Sequence, residues 1–227
     1  MTARSLRSRV REEMTEEIKR VARRHLATQG ADLSLRAVAR ELDIVASALY
    51  RYFPNRDALL TALILEAYES LAEAAVAAEA AVDRADGRGR WYAIWRGVRA
   101  WALAHPAEYG LLYGTPVPGY SAPADTVTPA SAVVLSLVRI VVDADLGPAP
   151  VSTPMTAPLR ADLRRLIDEQ PGDLDEHRLA LVFAGWTQLF GLVGFEVFGR
   201  LDQTVTAVSD YFDHQAALMA DLVGLPG

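Results

Sequence analysis

Residues 34–60 read SLRAVARELDIVASALYRYFPNRDALL. Apolar residues recur at helical spacing over 35–42, which predicts a short helix. An aspartate–isoleucine pair then forms a tight turn, and a second short helix is predicted over 46–52. A proline–asparagine pair ends that helix, and a long helix is predicted over 56–82. Two short helices joined by a tight turn are typical of a helix-turn-helix, and this motif decides the fold.

The ends of these helices carry their own signals. Ser34 and Asn55 stand where side-chain oxygens cap the first turns of the helices that follow them. A further helix is predicted upstream over 10–29, and Gly30 is expected to end it as the first residue beyond its C-terminus. The apolar stripe of that helix consists of Ile18, Val21, Ala22 and Leu26.

The rest of the chain shows no strand alternation. Helices are predicted over 90–104, 106–113, 128–146, 159–169, 175–198 and 204–223. The sequence therefore predicts an all-α protein in two parts. A three-helix DNA-binding head covers 1–57, and a larger helical domain for ligand binding and dimerisation covers 58–227.

The most specific signal is LYRYF at 49–53 followed by NRDALL at 55–60. This run, with the helices around it, resembles the DNA-binding head of the TetR family of regulators. The resemblance implies that the outer face of the motif contacts operator DNA. Its residues there are Ser34, Arg36, Ala46, Ser47, Ala48, Tyr50, Arg51, Tyr52 and Arg56. Arg56 stands where the family usually has lysine, so the charge is kept.

The second helix of the motif reads the major groove in such proteins. Leu49 and Phe53 lie four residues apart and are expected to face inward, while the small residues over 46–48 allow close approach to DNA. Tyr50 can meet a phosphate or a thymine methyl, and Arg51 a guanine edge or a phosphate. Tyr52 is expected at a phosphate. Surface packing for the tyrosines and a solvated charge for Arg51 stay open as alternatives.

The turn departs from the family pattern at two positions. The family usually has glycine then valine in the turn, followed by a hydroxyl or acidic residue that opens the next helix. Here the turn is Asp43–Ile44, so Asp43 is expected in a strained conformation that aspartate tolerates better than most residues. Val45 cannot cap the helix, and the missing cap costs about 1 kcal/mol.

Charge divides the chain unevenly. Residues 1–57 hold 12 Lys and Arg against 8 Asp and Glu, whereas residues 58–227 hold 11 against 21. A basic head on an acidic body is typical of proteins that grip DNA at one end, although the arginines could equally decorate a solvated helix. A basic arm ahead of the first helix is expected to reach the minor groove or to remain a solvated tail. It consists of Arg4, Arg7, Arg9 and Arg11.

The body is rich in aromatic residues. The segment HPAEYGLLYG at 105–114 is similar to one found in a C-terminal class of TetR-like regulators, which implies a helical ligand pocket. Pockets for small molecules are mostly apolar with a few polar groups, and plain core packing is the alternative for each aromatic. The candidate ligand-binding residues are Trp91, Trp95, Arg99, Tyr109, Tyr113, Phe183, Trp186, Thr187, Gln188 and Phe190.

The last two predicted helices suit a homodimer. The helix over 175–198 is apolar nearly all round and carries Gly185, Gly191 and Gly194, so close helix approach across a two-fold axis is expected. Lining of the pocket entrance is the alternative for these glycines. Two heads related by a dyad predict a near-palindromic operator.

Other functions find little support. The chain has no cysteine, its four histidines show no metal-ligand spacing, and no phosphate loop or nucleophile motif is present, so no enzyme, metal or cofactor is expected. The first 14 residues carry no apolar run typical of a secretory signal, and the apolar stretch 179–195 is expected to be a buried helix rather than a membrane span. A cytoplasmic protein is expected.

The sequence thus predicts a regulator that binds double-stranded operator DNA and an unidentified apolar small molecule. The resemblance favours a repressor over an activator. Ligand and DNA are expected to compete through the helix over 56–82, which connects the two parts. A helical carrier of small molecules or lipids is the alternative, but it leaves residues 34–60 unexplained.

Overall fold

A computed structural model describes residues 3–29, 33–144, 146–169 and 174–227. Those residues form ten α-helices and no strand, which confirms the predicted all-α class. A short 3-10 helix, Ala124–Thr126, precedes the seventh helix. The α-helices are α1 Ala3–Gln29, α2 Leu35–Glu41, α3 Ala46–Leu49, α4 Arg56–Ala80, α5 Gly87–Ala104, α6 Pro106–Tyr113, α7 Val127–Asp143, α8 Ala157–Asp168, α9 Glu176–Val197 and α10 Val208–Val223.

The chain forms two compact units. The N-terminal unit comprises Met1–Glu69 and His105–Pro129, and the C-terminal unit comprises Ser70–Ala104 and Ala130–Gly227. The division falls inside α4, and α6 belongs to the N-terminal unit. These units describe packing, whereas the predicted boundary after residue 57 concerns function and stays a prediction.

An apolar core holds the N-terminal unit together. The predicted stripe of α1, from Ile18 to Leu26, is buried in it, as are Val38 of α2 and Leu49 of α3. Leu59, Leu60 and Leu63 of α4 join the same core. Each such side chain contributes roughly 1.5–3 kcal/mol when fully buried, so the two short helices, α2 and α3, depend on this shared core.

Two predicted helix caps are confirmed. Ser34 Oγ accepts a hydrogen bond from the backbone N–H of Ala37 at 3.4 Å, and Asn55 Oδ1 accepts one from Ala58 at 2.8 Å. Each cap satisfies an N–H that has no partner within its helix. The stop predicted at Gly30 lies outside the described residues.

The prediction that the basic arm lies ahead of the first helix is wrong, because α1 begins at Ala3 and includes all four arginines, while their contact with DNA stays a prediction. No glycine or proline interrupts the helix, and local side-chain pairs support its exposed stretch over residues 8–13. Ser8 Oγ donates to Glu12 at 2.8 Å, and Arg9 pairs with Glu13 at 3.5 Å. Pairs four residues apart stabilise helices in this way, so sequence reasoning started α1 too late.

Several other helix boundaries differ from the prediction by two to four residues, and backbone hydrogen bonds give a local reason for two of them. The helix predicted over 46–52 ends at Leu49, because the next residues tighten into a turn in which the N–H groups of Tyr52 and Phe53 both bond Leu49 O. The last helix begins at Val208 rather than 204, since Thr204 and Val205 both donate backbone hydrogen bonds to Leu201 O.

Three helices, α5, α9 and α10, pack together in the C-terminal unit. Trp91 and Trp95 of α5 are fully buried, and the indole Nε1 of Trp91 donates to Ala216 O of α10 at 3.2 Å. A methyl group added at Gly185 of α9 would lie 2.9 Å from the Trp91 ring. Gly185 therefore lets α9 approach α5 within one chain.

Buried charges in the C-terminal unit are paired. Arg90 is 2% exposed, and its guanidinium bonds Glu79 at 2.6 Å and Asp143 at 2.9 Å, which ties α4, α5 and α7 together. Arg178, also buried, donates to the backbone oxygens of Val223 and Gly147. Removing one partner of such a group leaves a buried charge without compensation and is destabilising.

Two helical stretches are long and apolar enough to cross a membrane by length and composition alone. They are Ala124–Asp143 and Glu176–Val197. In the second, Leu179, Val182 and Val193 are buried within the unit. Of the apolar window in that stretch, 33% is buried within the single chain, and a core helix of a globular protein passes the same test, so these two helices are weak evidence for a membrane span.

We predict that Gly185→Ala destabilises the protein. Overpacking costs about 1–3 kcal/mol and the Trp91 hydrogen bond is disturbed, whereas alanine returns about 1 kcal/mol of helix propensity, so a net loss of about 1–2 kcal/mol is expected. Urea unfolding at fixed protein concentration measures it. Gly147→Ala is the control, because its added methyl group meets nothing within 4 Å. Equal stability of both variants would contradict the close approach at Gly185.

Candidate nucleic-acid interface

The recognition segment comprises α3 and the turn that follows it, residues 46–52. Its inner side is fixed by Leu49 and by Phe53 just beyond it, both buried as predicted. Ser47, Tyr50 and Arg51 are exposed, and Tyr50 retains 44% of its accessible surface. The half-buried residues of the segment are Ala46, Ala48 and Tyr52. The exposed residues therefore form one small, aromatic and basic surface.

The turn before α3 confirms the expected strain. Asp43 has φ of 52°, in the left-handed region that non-glycine residues seldom occupy. Its N–H donates to Arg40 O at 3.2 Å, and the N–H of Ile44 donates to Ala39 O at 3.0 Å. These bonds hold the turn despite a conformational cost of roughly 1–2 kcal/mol.

Val45 occupies the N-cap position of α3, and its side chain makes no cap hydrogen bond, as expected. Only its backbone oxygen engages the helix, by accepting from Ala48 N at 2.8 Å. A serine or aspartate there would stabilise the helix by about 1 kcal/mol. The start of α3 is therefore set by the turn and by the core, not by a side-chain cap.

Arg11 of α1 fixes the end of the recognition segment. Its Nη2 donates to Arg51 O at 3.3 Å, and its guanidinium lies over the Tyr52 ring, 5.4 Å from the centroid. Sequence reasoning grouped Arg11 with a basic arm at the start of the first helix and missed this contact. The available signal was the absence of any helix breaker between residues 3 and 29. Arg11 is a positioning residue for Tyr52.

Arg56, predicted to contact DNA, also has a structural contact. Its Nε donates to the backbone oxygen of Leu33 at 3.1 Å, and the side chain is half-buried. The bond ties the start of α4 to the residue before the Ser34 cap. Arg36 on α2 is exposed, as is Ser34.

A concavity of about 360 Å³ lies beside the turn. It is open to two exposed guanidinium-bearing side chains, Arg36 and Arg40, which lie one helical turn apart on α2. Val45 and Ala46 form its other wall. Arg40 is a candidate phosphate contact that sequence reasoning missed, although its spacing of four from Arg36 was visible.

Ion pairs hold α1 against its neighbours in the N-terminal unit. Glu41 of α2 contacts Arg24 at 2.6 Å and His25 at 2.5 Å, and these hydrogen bonds lower the pKa of the Glu41 carboxyl. Glu66 of α4 contacts Lys19 and, at 2.6 Å, Arg23. Burial would lower the pKa of Lys19, but its carboxylate partners outweigh it and raise that pKa. Both α2 and α4 are thereby fastened to α1.

The ligand candidates on α5 already have protein partners. Trp91 and Trp95 stack at 6.0 Å between ring centroids and lie in the core. The Arg99 guanidinium makes two bonds to Glu196, at 2.6 and 2.7 Å, and lies 5.0 Å from the Phe212 ring. These contacts stabilise the packing of α5 against α9 and α10.

The candidates on α9 are more accessible. Phe183, Trp186 and Phe190 form a row with centroids about 6 Å apart, and the first two are half-buried. Gln188 donates to Gln215 at 3.2 Å. Thr187 is exposed, and its hydroxyl donates to the backbone oxygen of its own helix.

Tyr109 and Tyr113 lie on α6 and belong to the N-terminal unit. Their ring centroids are 5.1 Å apart, and Tyr68 of α4 meets Tyr113 edge to face at 6.2 Å. Burial raises the pKa of both α6 tyrosines, so they remain neutral. The ten ligand candidates thus fall into an aromatic cluster in the N-terminal unit and two groups in the C-terminal unit.

Within the described ranges, no group of three or more His, Asp or Glu side chains could hold a metal ion. A short recognition segment packed against two supporting helices, exposed on its outer face, defines a helix-turn-helix DNA-binding protein.

Comparisons with known proteins identify the family. Residues 18–63 match the tetR family of bacterial regulatory proteins, and residues 91–219 match the tetracyclin repressor-like C-terminal domain. The HTH-type transcriptional regulators Rv1816 of Mycobacterium tuberculosis and Mb1846 of Mycobacterium bovis are each 34% identical over 221 residues, which cover 92% of either chain. The chain belongs to the TetR family of transcriptional regulators.

Solved structures agree with this assignment. The regulatory protein SCO4313 superposes with a TM-score of 0.75 at 29% identity, covering 94% of this chain and 98% of that one. A tetR-family regulatory protein from Rhodococcus RHA1 gives 0.58 at 16% identity, with coverages of 94% and 98%, and shares the fold. The protein is therefore a DNA-binding transcriptional regulator and not an enzyme, and a carrier without DNA binding is not favoured.

We predict that Arg11→Ala weakens specific DNA binding by about fivefold, because Tyr52 and the Arg51 carbonyl lose their support. Arg9→Ala is the matched control, since it removes the same charge from the same stretch of α1, and among the described residues Arg9 pairs with Glu13 rather than with the recognition segment. Fluorescence anisotropy with operator and with an unrelated duplex separates the loss of support for Tyr52 from the loss of one positive charge. Equal losses for both variants on operator would show that Arg11 acts by charge alone.

Proposed function

We propose that this regulator is a homodimeric repressor that binds a near-palindromic operator and is released from it by an apolar small molecule. The observation that carries the proposal is the recognition segment, whose inner side is buried while Ser47, Tyr50 and Arg51 are exposed. The functional boundary after residue 57 is part of the proposal, with DNA contact before it and ligand binding and dimerisation after it.

DNA contact is assigned both to the recognition segment and to the residues that flank it in α2 and α4. Ser47, Tyr50 and Arg51 face base edges or the flanking phosphates, with Ala46 and Ala48 allowing close approach. The remaining contacts are to phosphates, which position the protein without reading sequence. They are made by Ser34, Arg36, Tyr52 and Arg56.

An uncharged stripe on α9 supports the homodimer. Thr187, Gly191 and Phe195 are all exposed at helical spacing, and Phe195 retains 47% of its surface. A methyl group added at Gly191 would meet nothing within 4 Å. Leu218 of α10 is also exposed. A second copy of the chain would cover the apolar side chains of Phe195 and Leu218. The dyad of that dimer would place two heads on successive major grooves.

Aromatic residues on α9 support an apolar effector. Trp186 is half-buried beside Phe183 and Phe190, and its indole Nε1 is buried without a hydrogen-bond partner among the described residues. The Nε1 of Trp95 is in the same situation. A buried donor is costly when unpaired, so an effector that offers an oxygen acceptor would gain at such a position.

Coupling is assigned to α4. Its residues 56–69 belong to the N-terminal unit, where Glu66 binds α1, and its residues 70–80 belong to the C-terminal unit, where Ser70 accepts from Trp101 Nε1 at 2.9 Å. A ligand that favours one position of α4 in the C-terminal unit would change the DNA affinity of the head, provided that it binds the two states differently. Binding to operator DNA also implies a cytoplasmic location.

The DNA-binding surface is tested with a double variant, Tyr50→Ala with Arg51→Ala. We expect the wild type to bind DNA upstream of its own gene more tightly than an unrelated duplex, and the variant to lose that preference but keep salt-dependent binding to both. Measurements at two salt concentrations separate the phosphate contribution. Retained preference in the double variant would show that the recognition segment does not read the operator.

The regulatory direction is tested with a reporter under the same upstream DNA. We expect the wild type to lower transcription and the double variant to restore it. A panel of fatty acids and steroid ketones then probes release, with Trp186→Phe removing the indole donor. Higher transcription with the wild type would overturn the repressor role. A panel member that binds the protein and leaves operator affinity unchanged at fixed salt would contradict coupling for that compound.

A further inference from the structure

Val45 is the most exposed large apolar side chain in the part of the chain that the structure describes, with 70% of its surface accessible. It contributes nothing to the core of the N-terminal unit. It also forgoes the cap that a hydroxyl or carboxylate would give α3. A residue that breaks a local rule without a structural gain is expected to serve function.

Its position limits what it can touch. Val45 directly precedes α3, so it lies at the N-terminal end of the recognition helix. In helix-turn-helix proteins, the residues at that end meet base edges. Ser47 and Tyr50 are exposed on the same segment. Arg36 and Arg40 line the same concavity as Val45, and their guanidinium groups suit the phosphates that border the major groove.

The chemistry of the Val45 side chain limits which group of the DNA it can recognise. Valine cannot donate or accept a hydrogen bond, so it cannot read the polar edges of any base. The major groove presents one apolar group, the C5 methyl of thymine. Contact between that methyl and the two methyl groups of Val45 would remove apolar surface from water on both partners.

We infer that Val45 is a specificity-determining residue that selects thymine at one position in each half-site by contact with its C5 methyl group. The inference rests on the proposed operator binding and extends it to one base. Tyr50 is another residue of the segment that can meet a thymine methyl group, so the variants of Val45 described below assign the contact.

The test changes single atoms of the DNA. An operator selected from a randomised pool by the wild-type protein is remade with each thymine replaced in turn by deoxyuridine, which keeps the pairing edge and lacks the methyl group. At one position we expect affinity to fall about fourfold for one half-site and about fifteenfold for both, as burial of one methyl group predicts. Fluorescence anisotropy at fixed salt measures these changes.

Two variants of Val45 assign the effect. Val45→Ser removes both methyl groups and supplies a hydroxyl cap, so we expect a higher melting temperature together with loss of the thymine-over-uracil preference at that position. Val45→Ala should lose the same preference without the gain in stability. Val127→Ala, at another valine with 63% exposure, is the matched control and should keep the wild-type pattern.

The outcomes separate this inference from the proposed function. A specific operator whose uracil pattern is the same for wild type, Val45→Ser and Val45→Ala would overturn the role of Val45 and leave operator binding intact. A selected half-site without thymine would overturn it too. Failure of the folded wild type to select any operator would overturn the proposed function, and this inference with it.

Discussion

A helix of four residues is not stable in water by itself, so α3 exists only because its inner side is buried in a core that other helices build. Leu49 is fully buried there, together with the stripe of α1 that begins at Ile18. The contacts with DNA that we propose for residues 46–52 depend on this burial, because it determines which side chains of the segment remain exposed. Arg11 completes the support by holding the carbonyl of Arg51 and the ring of Tyr52.

The strained turn follows from the same constraint. With α2 and α3 both packed on one core, the chain between them must reverse within a few residues, and Asp43 takes a positive φ to do so. Glycine would adopt this conformation without cost, and serine in place of Val45 would cap the next helix. The strained Asp43 and the uncapped start of α3 both lie at the edge of the surface that we propose reads DNA. Backbone strain of this kind is most often found at functional sites.

The helix-turn-helix could be predicted from the sequence because its signals are local: helical spacing, two caps and a run that resembles one family. The start of α1 was missed although no helix breaker precedes it, since an arginine-rich stretch is compatible with both a helix and a tail until pairs such as Arg9–Glu13 form. The ligand residues were harder still. Aromatic residues have the same helical spacing in a core as in a pocket. Only the packing shows that Trp91 is buried with its indole N–H bonded to Ala216 O, and that Tyr109 belongs to the N-terminal unit.

The central claim is that burial of Leu49 and Phe53 leaves the outer face of residues 46–52 exposed as one DNA-reading surface per chain, and that a dimer uses two such surfaces. Hydroxyl-radical footprinting of the wild-type protein on an operator selected from a randomised pool tests it most directly. We expect two protected patches related by a dyad and centred about one helical turn, roughly 34–36 Å, or a multiple of that distance apart. Protection without a dyad, or uniform protection that salt removes equally from every sequence, would contradict the account.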